Sequence, residues 1–254
     1  MHASLLSEVR SIAEGEGVNL CGLVDAPSFD RSQPPDRRAS RLLPGCGTVL
    51  AFASGGRSFW DRALRSSAEG SMGRGAGSRH PVELHESRCL SRIAKHLADR
   101  GLIPVVVRPG SAPLNFAQLA EAAGFGTVSP VSHVLLHPTY GAWLCFRAAL
   151  LFQGHPFGEI ESRAPSPWDP CSSCSKPCVS ACPAGSCNDG HEVAACNRHR
   201  TGGVCDEVCH VRRACPIGAE HRYSPEQESY RQACGLLNRR KPAGLFGFLR
   251  RLRS

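Results

Sequence analysis

Nine cysteines crowd between Cys171 and Cys215, and they constrain this chain more than anything else in it. Cys21, Cys46, Cys89 and Cys145 are scattered over the preceding residues, and Cys234 follows alone. Within the crowded stretch hydrophobic periodicity fades, and too little apolar material remains to close a core. Such a segment must be organised by cross-links or by metal. A secreted disulfide scaffold is short, spreads its cysteines evenly and carries an export signal. The opening MHASLLSEVRSIAEGEG has no basic start, no continuous apolar run and no cleavage-like site. No transmembrane segment is expected, since no stretch approaches the roughly 18 apolar residues that cross a membrane. The expectation is a cytoplasmic protein, where clustered cysteines mean metal rather than disulfides.

The spacing narrows the metal. Cys171, Cys174, Cys178 and Cys182 are separated by two, three and three residues, and Pro183 follows. The bacterial ferredoxin run is C-x2-C-x2-C-x3-C-P, so one extra residue sits in the middle gap. In that pattern three close thiolates serve one four-iron cluster, and the cysteine before proline serves the other. Cys196, Cys205, Cys209 and Cys215-Pro216 repeat the logic with wider gaps. The crossed reading gives Cys171, Cys174, Cys178 and Cys215 to one [4Fe-4S] cluster, and Cys182, Cys196, Cys205 and Cys209 to the other. Cys187 is a nearby substitute for Cys196. Zinc prefers two separated C-x2-C pairs, and only one such pair exists here, with two Cys-Pro pairs left unexplained. His191, His199 and His210 read as solvated loop histidines.

The rest of the chain is of a different kind. Apolar residues make up 41% and charged residues 20%, which allows a hydrophobic core of ordinary size. Residues 3 to 16 read as an amphipathic helix, with Leu5, Leu6, Val9, Ile12 and Ala13 on one face. Asn19–Ala26 reads as a short strand, and Thr48–Ala53 after the Pro44-Gly45 turn as a buried one. Residues 54 to 80, rich in Gly, Ser and Arg, are expected to form a long exposed loop. A helix from Val82 to Arg100 should end at Gly101. A strand Leu102–Val107, a helix near Leu114–Ala123 and strands Val131–Leu136 and Ala142–Phe152 complete an α/β or α+β first domain over residues 1–153. A proline-rich linker over 154–170 leads to a ferredoxin-type two-cluster domain over 171–225. A basic amphipathic tail occupies 226–254, where Arg239, Arg240, Lys241, Arg250, Arg251 and Arg253 supply much of the formal charge of +8. That tail could meet an acidic partner, RNA or anionic lipid, or lie solvated. His80, His85, His133 and His137 are candidates for lining a site, against the plainer reading of structural histidines. Cys46 and Cys145, in apolar runs, read as small buried hydrophobes.

Three stretches together resemble the epoxyqueuosine reductase family and its reductive dehalogenase relatives. These are Pro44-Gly45 followed by GTVLAFAS, then AEAAGFG (120–126) leading to HVLLHPTYGAWL (133–144), then the cysteine runs. The resemblance implies a nitroreductase-like, corrinoid-binding α/β domain joined to a two-cluster ferredoxin module. It implies clusters that feed electrons to cobalamin, themselves filled by a donor protein such as a flavodoxin or ferredoxin. By analogy of fold, the substrate site would adjoin the Ser54–His80 stretch and the Arg108–Pro113 turn. Two departures stand out. The family's acidic proton donor falls at or near Gly110, where no carboxylate stands, and a glycine cannot act as a general acid. Its lysine-asparagine step is replaced over Thr127–Ser132, and the C-terminal helical extension that helps hold tRNA in some members is missing. The resemblance therefore argues for a divergent cousin, and against epoxyqueuosine reduction itself. The expected function is electron transfer to a corrinoid or other reducible site in the first domain. The rivals are a non-catalytic electron carrier or corrinoid-handling protein, and a zinc-stabilised RNA- or protein-binding module.

Overall fold

A computed structural model describes residues 2–68, 80–160, 168–187 and 193–240. Its centre is a four-stranded antiparallel sheet in the order β1-β2-β6-β3, made from β1 (Leu20–Asp25), β2 (Cys46–Gly55), β6 (Leu144–Gln153) and β3 (Val105–Val107). A separate two-stranded ribbon pairs β4 (Thr127–Val128) with β5 (Leu135–Leu136).

Every residue of β2 is buried, and the alternation of side chains across a strand explains why it must be apolar throughout. Leu50 and Phe52, with Ala148, Leu150 and Phe152 of β6, enter a core with α1 (His2–Gly15), α4 (Ser58–Ala68) and α5 (Pro81–Ala98). Val49, Ala51 and Ala53, with Ala149 and Leu151, enter a second core on the opposite face. That face is covered by α2 (Ala26–Arg31), α3 (Ala39–Leu42) and α6 (Phe116–Ala122). The result is three layers, with the sheet in the middle.

Local chemistry sets the helix ends. His80 caps α5 by accepting a hydrogen bond from Val82 N at 3.2 Å, and Pro81 occupies the first turn, where its missing N–H costs nothing. Gly101 closes the helix as expected, with its N–H bonded to the Ala98 carbonyl. Asn115 caps α6 through Gln118 N.

Three sequence expectations need correction. The stretch 54–80 is not one loop: β2 runs on to Gly55, and Ser58–Ala68 is helix α4, held by buried Phe59, Trp60 and Ala63; residues 69–79 lie outside the described residues. The strand expected over Leu102–Val107 shortens to Val105–Val107, and that over Val131–Leu136 to Leu135–Leu136.

The core contains one buried cation. Arg147 donates to Ser54 Oγ at 2.8 Å, lies 3.5 Å from Glu86 Oε2, and sits with its guanidinium 3.9 Å from the Phe59 ring centroid. Removing one partner of a buried pair leaves the other charge unmatched. Arg147→Met is therefore expected to lower unfolding free energy by about 3 kcal/mol, measured by urea titration. A loss under about 1 kcal/mol, the range of exposed ion pairs, would contradict that account.

After β6, four helices belong to the C-terminal part: α7 (Pro177–Ala181), α8 (Val193–Arg200), α9 (His210–Ala214) and α10 (Pro225–Arg240). Part of the stretch read as a basic tail is thus helix α10; residues 241–254, and with them most of the tail's charge, lie outside the described residues. Among the described residues no helix is long and apolar enough to cross a membrane.

Candidate functional site

Helices α7 and α9 pack on each other, and each runs directly into a Cys-Pro pair. A residue before proline is driven out of the helical region. Cys182 (φ −81°, ψ 106°) and Cys215 (φ −66°, ψ 125°) both adopt extended backbone and end their helices. Each thiol is thereby turned away from the helix that precedes it.

The thiols fall into two neighbourhoods. Burial raises the pKa of Cys178, and negative charge on Cys215, Cys171 or Cys174 raises it further. Cys215 is likewise raised by burial, and by Cys171 and Cys174 against a backbone hydrogen bond from Ile217. Cys205 is raised by burial and then by Cys209, Cys196 and Cys182. Cys187 is buried and pushed up to about 12, first by burial and then by Cys182, with lesser contributions from Cys178 of the first group and from Cys209. Five thiols thus gather in the second neighbourhood. No disulfide joins any of them. Among the described residues, no group of three or more His, Cys, Asp or Glu side chains is arranged to close on a single metal ion.

Several polar groups reach the sulfurs. Lys176 N donates to Cys174 Sγ at 3.3 Å from a residue in left-handed backbone (φ 56°). Ser129 Oγ lies 3.2 Å from Cys171 Sγ, a link from the α/β part that sequence spacing gave no means of finding. His199 and His210 stay in the second neighbourhood as backbone-bonded residues: His210 Nε2 is 3.0 Å from the Val204 carbonyl, and the His199 carbonyl accepts from Cys205 N. His191 lies outside the described residues.

The cysteine-rich part meets the sheet along a seam of backbone. Gly141 (φ 52°) faces the Ile217 carbonyl and Gly218 (φ 65°) faces Tyr140 so closely that a Cβ on either would collide with backbone. Arg212 of α9 donates across the seam to the Ala142 carbonyl. The Tyr140 ring stands 4.8 Å from His221 and 4.9 Å from His137, and its hydroxyl accepts from Asn19 Nδ2 at 3.0 Å. The Asn19 carbonyl oxygen in turn accepts from Gly55 N at 2.8 Å. His137 Nδ1 accepts from the backbone N–H of Thr139 and Tyr140. Burial and the neighbouring His221 hold its pKa below the ordinary histidine value, so the ring stays neutral at pH 7.

Asn19 also ends a cleft of about 570 Å³ that runs along β1 between Arg10, Glu14 and the Ala123–Phe125 turn. β1 is an edge strand, so its outer backbone groups face this cleft. Of the other histidines considered, His85 is buried and reaches the Glu16 carbonyl at 2.9 Å, while His80 lies 3.9 Å from the Tyr230 ring and 5.6 Å from Trp60. Both are structural. His133 stands in left-handed backbone (φ 55°) in the loop before β5. Cys46 is buried as expected, whereas Cys145 is half-buried. The turn around Gly110 is closed by Ser111, whose N–H and hydroxyl both donate to the Arg108 carbonyl.

No protein-family profile matches the chain. No curated protein matches it in sequence. Solved structures do. An epoxyqueuosine reductase bound to an epoxyqueuosine-modified tRNA-Tyr stem loop is similar over 90% of this chain and 69% of its own, at 18% identity and a TM-score of 0.61. The B12-trafficking protein CblC of C. elegans is similar over 91% and 92%, at 14% identity and 0.58. A catabolic reductive dehalogenase in complex with 3-bromo-4-hydroxybenzoic acid is similar over 89% of this chain and 35% of its own, at 14% identity and 0.54. The mixed α/β fold is the one these three proteins share.

Proposed function

We propose that the chain is an iron–sulfur electron-transfer oxidoreductase, with two [4Fe-4S] clusters held at the cysteine-rich part and a reducible site, a corrinoid by preference, in the α/β part. The observation that carries this reading is the grouping of thiols across the sequence, with Cys215 beside Cys171, Cys174 and Cys178, and Cys182 beside Cys205. Zinc draws its thiolates to about 2.3 Å from one point, whereas a cubane spreads them around its body. Cys171, Cys174, Cys178 and Cys215 would hold one cluster. Cys182, Cys205, Cys209 and either Cys196 or Cys187 would hold the other.

The donor set suits such a group. After burial, neighbouring thiols raise the pKa of Cys178, Cys205 and Cys215, and a cation bound among them would offset that repulsion. The Lys176 and Ile217 N–H groups and the Ser129 hydroxyl are hydrogen-bond donors of the kind that tune a cluster's potential. When bound, the clusters supply one-electron transfer, and a corrinoid supplies reducing power at cobalt. The cleft beside β1, rather than the Ser54–His80 and Arg108–Pro113 surroundings expected from the sequence, is the proposed seat of the reducible group, because it is a concavity of ligand size and its Asn19 end adjoins the seam. There Tyr140, His137 and His221 are the groups able to hold or pass a proton. A flavodoxin or ferredoxin is the class of donor that would fill the clusters.

The similarity to CblC favours one second reading, a corrinoid-handling protein without turnover of its own, and Gly110 in place of an acid fits it. Anaerobically purified protein should contain about eight irons and eight sulfides per chain, and titration with hydroxocobalamin followed by EPR should give a bound, base-off cobalt signal. The same iron without cobalamin binding would leave an electron carrier. Zinc in place of iron would overturn the proposal.

A further inference from the structure

The seam holds more positive charge and more hydrogen-bond donors than its own residues use. Arg147 is matched by Glu86, and Arg213 by Glu228, whose carboxylate it meets at 2.8 Å. Arg212 and Arg231 have no carboxylate partner among the described residues; they lie near enough to repel, and only the ionisable groups of Cys209, Tyr223 and Cys145 work the other way on Arg212. Burial, then Arg231, pushes the Arg212 pKa down to about 10. A guanidinium so placed remains charged at neutral pH and calls for a counter-charge.

Around these two arginines stand buried polar atoms with no hydrogen-bond partner: Trp143 Nε1, Tyr223 OH, Arg231 Nη1 and Gln227 Oε1. The Trp143 side chain is 1% exposed and Tyr223 is 7% exposed. Their rings meet edge-on at 5.3 Å, and the Arg231 guanidinium lies 5.7 Å from the Tyr223 ring centroid. Arg212 reaches the carbonyl of Ala142, the residue before Trp143. Gln227 and Arg231 share one face of α10, a turn apart. A buried polar atom left unpaired costs about 1–3 kcal/mol, so those of Trp143, Tyr223 and Arg231, whose side chains meet, point to a missing partner. A bridging water can satisfy an indole or a hydroxyl but leaves two positive charges unmatched.

We infer that Trp143, Tyr223, Arg212 and Arg231 together bind a small inorganic oxyanion of the phosphate class. Arginine forks, an indole N–H and a phenol O–H are donors to anionic oxygen, and Gln227 Oε1 can accept from a protonated oxygen of hydrogen phosphate. The enclosure of Trp143 and Tyr223 selects a free ion over a phosphate group carried on a larger molecule. The oxyanion would fasten α9 and α10 to the start of β6 from within. Because Arg212 also neighbours Cys209, one of the proposed cluster ligands, the site is to be tested with the metal in place.

Equilibrium dialysis of the full, metal-loaded chain against radiolabelled inorganic phosphate tests it, at constant ionic strength and without sulfate. One phosphate per chain is expected. Trp143→Phe keeps the ring and removes the N–H, and should weaken binding about tenfold; Arg231→Met should weaken it more. Lys95→Met, at the exposed pair with Asp99, should bind as the parent does. Tyr223→Phe serves as the second donor deletion should Trp143→Phe fold poorly. No binding by the parent, or equal binding by all variants, overturns the inference. Iron assayed on the same samples reports separately on the clusters.

Discussion

The double variant Cys171→Ala/Cys215→Ala is expected to retain one intact four-iron cluster, about four irons per chain, whereas Cys182→Ala/Cys215→Ala is expected to retain none intact. The reason lies in the chain's crossing. Cys215 follows Cys209 by six residues, yet its thiol feels Cys171 and Cys174, some forty residues earlier. Taking two thiols from one cubane removes that cluster and spares its neighbour. Taking one from each damages both. An uncrossed arrangement, in which each half of the segment keeps its own four cysteines, predicts no difference: both variants would then injure two clusters. Iron content and EPR line shape of the two proteins decide between them. Because metal binding supplies folding free energy to a segment without a core, the damaged chains should also be cut faster by protease between residues 168 and 215.

A second large effect is expected at the backbone seam. Gly141→Ala places a methyl against the Ile217 carbonyl, and Gly218→Ala places one against Tyr140 and Gly141; both residues sit at positive φ. Backbone cannot swing aside as a side-chain end can. Left-handed backbone alone costs a non-glycine residue about 1–2 kcal/mol; with the collision added, each variant should lose about 4 kcal/mol or more, the range of severe core defects. Gly101→Ala is the control, since it has positive φ but nothing within 4 Å of the added carbon. It should lose only about 1 kcal/mol. Urea denaturation measures all three, and equal losses would show that the contact across the seam contributes nothing.

The features legible in the sequence were those fixed by neighbours in sequence. The buried run of β2, the cap and stop of α5 and the extended backbone forced on Cys182 and Cys215 by proline are all local. The helix α4 was not legible, because only Phe59, Trp60 and Ala63 of its eleven residues are buried and its surroundings are rich in glycine and serine. Its helicity comes from packing on α5, a contact no window of sequence contains. Helix α10 was hidden for a similar reason: its mean composition is polar, and what ties it down is single residues such as Tyr230 against Trp60 and His80. Trp143 falls in an expected strand and Arg212 and Tyr223 in the expected cysteine-rich domain, and nothing in the sequence joins them. They become a group only when α9 and α10 return to the sheet. In contrast, the cysteines declared their chemistry by type and spacing, while which of Cys187 and Cys196 completes the second set depends on folding of the segment between them.

The stack of Tyr230 on His80, with Trp60 beside it, has a consequence for assembly. β6 fixes the chain at Gln153 and this stack fixes it again at Tyr230, so the intervening span is closed, with one end on the sheet and the other on the helices that cover it. The entropy of closing a loop grows only with the logarithm of its length, so the long excursion adds little to the cost. Once closed, it keeps its thiols at high effective concentration near one another and near the seam. A chain stripped of metal would therefore lose the order of this segment but keep its ligands close together, and could be refilled without starting from an open coil.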